Sequence, residues 1–158
     1  MADHALHLLD TNVLVAFLRA GALGQYIDET YRPRQAKFKP IISVVTAGEL
    51  RSLARQLRWG PTKAAEIDKL VDNLVVEDIN TPEILTAYAE IDHASLACGR
   101  LMGKNDVWIA ATAKVSGAVL LTTDKDFDHL AATSPLARPE IPVIRLIWID
   151  PELGKPKR

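Results

Sequence analysis

Asp10 lies between two apolar runs in HLLDTNVLVAF, residues 7–17, so its carboxylate must either cap a helix or bind something. Three more acids stand at comparable places: Glu49 in TAGEL, Asp106 in GKNDVWIAATA and Asp124 in LLTTDKDF. Taken singly, each has a local explanation. Thr46-Ala47-Gly48-Glu49 fits a capping box, and Asp106 follows Asn105 where a helix dipole favours an anion. Thr123-x-x-Asp126 also fits a helix start, and Asp10 can brace the first turn of its own helix. As a set they point elsewhere. Carboxylates gathered on one edge repel each other and raise their own pKa values unless a cation sits among them. His4, His7, His93 and His129 share no metal-ligand spacing, and Cys98, the only cysteine, reads as a small apolar packing residue. Oxygen donors alone suit hard Mg²⁺ or Mn²⁺ rather than zinc.

Such acids need a frame. Short β-rich runs (LHLL, PIISVV, LVVEDI, AVLLTT, IPVIRLIWI) alternate with helical patterns. TNVLVAFLRA is expected as a helix capped by Thr11 or Asn12, with Gly21 past its end. AGELRSLARQLRW carries Leu50, Leu53, Ala54 and Leu57 at i, i+3, i+4 and i+7. Gly60 and Pro61 break that pattern, and Pro61 opens TKAAEIDKLVDNL. Thr81-Pro82-Glu83 starts a long helical stretch towards Met102. NDVWIAATAKVSG ends at Gly117, and DKDFDHLAA reads as a short helix. Strands alternating with helices imply an α/β fold, a parallel sheet covered on both faces. Ligands of such sheets bind beyond the carboxyl ends of the strands. Asp10, Glu49 and Asp124 fall there by pattern. Asp106 does not, because no strand precedes it directly.

The chain has 158 residues, 48% hydrophobic, with 19 Lys and Arg against 20 Asp and Glu. That fits one domain with a full core, taken as residues 1–150, followed by a charged tail, 151–158, expected to fray. A net charge of −1 argues against a protein that coats nucleic acid, though it leaves room for a local basic patch. One thiol, no secretion signal and no apolar run of membrane-spanning length suggest a reducing, cytoplasmic setting.

LLDTNVLVAFL, TAGEL, GKNDVWIAATA and LLTTDKDF, in that order, resemble the PIN domain, in its VapC-like ribonuclease toxin branch. The resemblance runs from about Leu8 to the last strand. It implies a three-layer sandwich with a central, mostly parallel sheet. It also implies a Mg²⁺- or Mn²⁺-dependent endoribonuclease, paired with a small antitoxin and commonly a homodimer. By position, the metal-binding and catalytic acids would be Asp10, Glu49, Asp106 and Asp124. Asn12 would steady the first acid, and Thr122 or Thr123 the fourth. Asp126 and Asp128 depart from the family pattern, and Asp126 competes with Asp124 as the fourth acid. The resemblance, not the strand pattern, brings Asp106 to the site.

Cations offer candidates for substrate contact. YRPRQAKFK, residues 31–39, interleaves Lys37 and its neighbours with Tyr31 and Phe38, a pattern suited to RNA backbone and bases as well as to a solvated loop. Arg51, Arg55 and Arg58 share a face with the leucine stripe and suit phosphate, a restraining partner or plain solvent. Helices 47–59 and 61–73 are the surfaces expected to pair two copies. Trp108 reads as core and Asp78 as a turn residue. Two other functions compete. Phosphoryl transfer through an aspartyl phosphate also uses a carboxylate after the first strand, but Asn12 stands two positions after Asp10 and Lys125 is the only late lysine nearby. A non-catalytic PIN-fold module binding RNA or protein would be marked by loss of one of the acids, and none is lost.

Overall fold

The computed structural model describes residues 5–153 and 155. Strand β1 (His7–Leu9) leads through Asp10 into α1 (Thr11–Arg19), and α2 (Ala22–Tyr31) folds back against it. A 3-10 turn, Pro33–Gln35, precedes β2 (Ile41–Ser43), α3 (Val44–Gln56) and α4 (Pro61–Asp72). Then come β3 (Val75–Glu77), α5 (Pro82–Ala97), α6 (Lys104–Ser116), β4 (Val119–Thr122), a 3-10 turn at Asp128–Leu130, and β5 (Arg145–Trp148).

The sheet order is β3-β2-β1-β4-β5, and every pairing among these strands is parallel. Alternation along each strand separates two cores. Leu8, Ile41 and Leu120 face α5 and α6, with Ile91, Ile109 and Phe127. Leu9, Ile42 and Leu121 face α1 to α4, with Leu14, Ile27, Leu50 and Ile67. This is the expected three-layer sandwich. The chain winds outwards from β1 in both directions, so strand order reverses between β1 and β4. That switch point opens a crevice beyond their carboxyl ends. Asp10 follows β1, and Asp124 lies two residues past β4.

Several local expectations change. Asp10 itself caps α1, not Thr11 or Asn12, because its side chain accepts the Thr11 N–H. Ser43 caps α3, which begins at Val44, so β2 is shorter than PIISVV and Glu49 lies too far in to close a capping box. Gly103 caps α6, which begins at Lys104, one residue before NDVWIAATAKVSG, with Asp106 in the first turn. The helix from Pro82 stops at Ala97, short of Met102. DKDFDHLAA makes one 3-10 turn rather than a helix, and Thr123-x-x-Asp126 starts nothing helical. The leucine stripe of α3 ends early. Leu50 is buried, whereas Leu57, past the last turn, is 47% exposed. The edge strands β3 and β5 are not buried on both faces as an all-apolar reading implied. His4 and half of the expected tail (154 and 156–158) lie outside the described residues.

Helix α2 went unread because ALGQYIDETY is weakly apolar and carries a glycine inside it. That glycine is what packs it. A Cβ on Gly24 would stand 2.5 Å from the Ala16 carbonyl oxygen of α1. Gly24→Ala is therefore expected to lower the melting temperature. Overpacking of this kind costs ~1–3 kcal/mol, against a helix-propensity gain of ~1 kcal/mol. A melting temperature unchanged or raised would show that the helices part without cost.

Candidate functional site

Asp10 is stitched into the sheet edge. Its N–H donates to the Leu121 carbonyl at 3.0 Å, so pairing with β4 continues past the end of β1. Its carboxylate is 3% exposed and fully engaged by the chain's own donors. Oδ1 accepts the Thr11 N–H at 2.7 Å, and Oδ2 accepts the Thr122 hydroxyl at 2.6 Å and the Asn12 amide at 3.2 Å. The network continues into the loop after β4. The Asn12 side-chain carbonyl accepts the Thr123 N–H, the Thr122 hydroxyl accepts the Asp124 N–H, and Asp124 Oδ1 accepts the Asp126 N–H. Local hydrogen bonds thus fix the spacing between the acid after β1 and the acids after β4.

Glu49 arrives from the second turn of α3. Its Oε1 accepts the Thr11 hydroxyl at 2.8 Å, and that hydroxyl also lies 3.2 Å from the Thr46 hydroxyl. Thr11 and Thr46, first read as cap residues, instead hold a carboxylate toward the crevice. Asp106, half-buried in the first turn of α6, supplies the remaining acid. Carboxylate oxygens of Asp106, Asp124 and Asp126 lie within 4.8 Å of one another.

None of these five acids forms a salt bridge among the described residues. The electrostatic cost shows in two of them. Burial pushes Asp10 up to about 6. The Thr122 and Thr11 hydrogen bonds pull against that rise, and the charges of Glu49 and Asp124 add to it. Burial also leads at Asp106, followed by repulsion from Asp10, Asp124, Asp126 and Glu49, and lifts it to about 7. Desolvation, rather than the mutual repulsion expected from the sequence, is the larger cause. Carboxylates that pair with no side-chain cation among the described residues and converge as an all-oxygen donor set fit a hard divalent ion.

The sequence candidates divide. Asp10, Glu49, Asp106, Asp124, Asn12, Thr122 and Thr123 meet in one network or one field. Asp126, set against Asp124 as the fourth acid in the sequence, joins them directly, facing Asp106 alongside Asp124 rather than replacing it. Arg51 instead pairs with Asp68 of α4 at 3.3 Å. Arg55 lines a groove between α3 and α4 with Arg58 and Trp59. Lys37 sits over the Phe38 ring, 5.5 Å from its centre, in the segment before β2. None of the three is hydrogen-bonded to the acids. His129 is buried, with Nε2 2.8 Å from the Ser95 hydroxyl, and burial lowers its pKa, so it packs rather than ligates. His93 is exposed, Trp108 stacks on Tyr88 in the core, and Asp78 turns the chain by accepting the Asn80 N–H.

Residues 7–133 match the family described as the PIN domain. Ribonuclease VapC2 of Haemophilus influenzae is 25% identical over 127 residues, which make up 80% of this chain and 92% of that protein. Among solved structures, VapBC2 of Rickettsia felis, bound to a DNA fragment from its promoter, superposes with a TM-score of 0.70 at 18% identity, covering 89% of this chain and 98% of that one. VapBC-1 of nontypeable Haemophilus influenzae superposes with a TM-score of 0.66 at 25% identity, covering 77% and 90%.

Proposed function

Because the chain belongs to the PIN-domain family, we propose that it is an endoribonuclease dependent on Mg²⁺ or Mn²⁺, acting as the toxin of a toxin–antitoxin pair. One observation carries the reading: unneutralised carboxylates from β1, α3, α6 and the loop after β4 converge at the sheet's switch point. Asp106, Asp124 and Asp126 present the oxygens that would hold the ion, with Asp10 and Glu49 completing its field. A divalent ion held there would lower the pKa of water, supplying hydroxide as nucleophile at neutral pH, and would offset charge on the phosphodiester.

The chain's own residues do the rest. Asn12 and Thr122 hold the carboxylate of Asp10, and Thr11 that of Glu49, in the positions from which they would act on an ion. Thr122 also positions the backbone of Asp124. With its pKa near 7, Asp106 can hold a proton in the ion-free protein and release it on loading. The similarity to VapBC structures supports a small antitoxin protein as partner. A homodimer and a cytoplasmic setting belong to the same proposal. Among the described residues, no helix is long and apolar enough to cross a membrane.

The test is incubation of the purified protein with end-labelled single-stranded RNA and Mn²⁺ or Mg²⁺. Internal cleavage that EDTA stops is the expected result. Intact RNA across a pool of diverse sequences would leave the non-catalytic module ahead.

A further inference from the structure

We infer that a second site, at the opposite edge of the sheet from the acids, binds the phosphodiester backbone of RNA. A cavity of about 640 Å³ opens at the amino ends of β2 and β3, where Pro40 and Leu74 enter those strands. Helix α1 starts at the acid edge and runs back along the sheet, so its last turn forms one wall. Arg19 comes from that turn, Arg34 and Lys39 from the segment before β2, and Lys63 and Lys69 from α4. Glu66 is the single acid in the lining. Four of the five cations are exposed, and Arg19, Lys39 and Lys69 have no salt bridge among the described residues.

Sequence-distant cations that converge on one hollow, in a chain of net charge −1, need an explanation. The acid edge repels a polyanion, so a bound RNA must gain its electrostatic attraction elsewhere. Phe17 lines the cavity, and two further rings, Trp59 and Phe38, lie outside its lining against cations at or beside it. Arg34 lies over the Phe17 ring at 4.6 Å, Lys63 over Trp59 at 5.8 Å, and beside Lys39 the pair Lys37–Phe38 adds a third at 5.5 Å, with Phe38 48% exposed. Cations interleaved with aromatic faces suit a single strand, whose phosphates and bases both find contacts. The basic run 31–39 thus meets cations from α1 and α4 that its sequence did not show. The choice of RNA over another polyanion rests on the nuclease reading.

Binding of a fluorescein-labelled single-stranded RNA oligonucleotide, followed by anisotropy in EDTA, tests the site without cleavage. Changing Arg19, Lys39 and Lys69 together to glutamine should weaken binding about tenfold or more at low salt. It should also shrink the slope of log affinity against log salt by about 2, at roughly 0.7 per phosphate neutralised on a single strand. Lys39→Arg with Lys69→Arg should keep both, which separates charge from fold. A triple variant that melts like the wild type and binds RNA as tightly overturns the site. So does an oligoglutamate peptide that displaces the RNA at lower concentration than unlabelled RNA does, since the cavity would then serve an acidic protein segment. If the wild type binds RNA through these cations yet cuts none, the nuclease reading fails and this site stands. If it cuts RNA and the triple variant binds unimpaired, the reverse holds.

Discussion

Asp106→Asn is expected to lose RNA cleavage by more than the roughly 10–100-fold that removing a ligand-orienting partner costs, while melting higher than the wild type at neutral pH without divalent ions. Both effects follow from one geometry. Asp106 faces Asp124 and Asp126 within 4.8 Å, and the charges of Asp10 and Glu49 also act on it. Asparagine keeps the shape and removes the charge, so the cost of burying that charge and its repulsion from the other acids are both relieved, and the oxygen set that would hold the ion is incomplete. The competing view makes Asp106 a stabilising anion in the first turn of α6, a role worth about 0.3–1 kcal/mol. That view predicts a lower melting temperature and unchanged cleavage. Melting in EDTA and a cleavage assay with Mn²⁺, on the same preparations, decide between them. Gain of stability with loss of activity is the trade expected where a fold keeps a strained site for function.

Added Mn²⁺ is expected to raise the melting temperature, and to raise it more near pH 8 than near pH 5. Asp10, at about 6, and Asp106, at about 7, both stand above the ordinary 3.8. The unfolded chain therefore loses these protons at lower pH than the folded chain does. Across the window from about pH 4 to about pH 7 the folded state holds the extra protons, so stability of the ion-free protein falls as pH rises and levels off above it. Ion binding needs the carboxylates deprotonated, so affinity climbs through the same window. An ion at about 100 times its Kd adds ~2.7 kcal/mol, several degrees in a chain of this size. Thermal melting at both pH values, with Mn²⁺ and with EDTA, reads the result. Equal shifts at the two pH values would mean that the ion binds somewhere other than these acids.

Periodicity made most of the frame legible. Apolar strands and amphipathic helices sit where their patterns put them, and the parallel sheet follows from their alternation. What failed was local and had local causes. Caps at Asp10 and Ser43 lie one to three residues before the positions that side-chain preference favoured, because β1 and β2 are only three residues long and their helices begin at once. Gly24 hid α2, since a glycine inside a helix reads as a break until the facing backbone is known. At the site, three acids were legible as residues following strands. Asp106 was not, because its helix is brought to the crevice by packing against α5 and α3, a relation that no local pattern carries. Asp126 was legible only as a rival to Asp124 for the fourth place, since TTDKDF looks like a helix start and folds instead as a loop that turns both acids the same way. The cavity at the other edge draws on α1, α4 and the segment between them, so only the run 31–39 could announce it.

The most direct measurement follows bound Mn²⁺ and RNA cleavage in one titration. Free Mn²⁺ is read by its electron paramagnetic resonance signal while a labelled RNA is cut in the same sample. Wild-type cleavage should rise along the curve of ion bound to protein, and Asp106→Asn should show neither strong binding nor cleavage. Cleavage that is already maximal before any ion binds, or that proceeds equally in Asp106→Asn, would contradict a metal-dependent nuclease built on these acids.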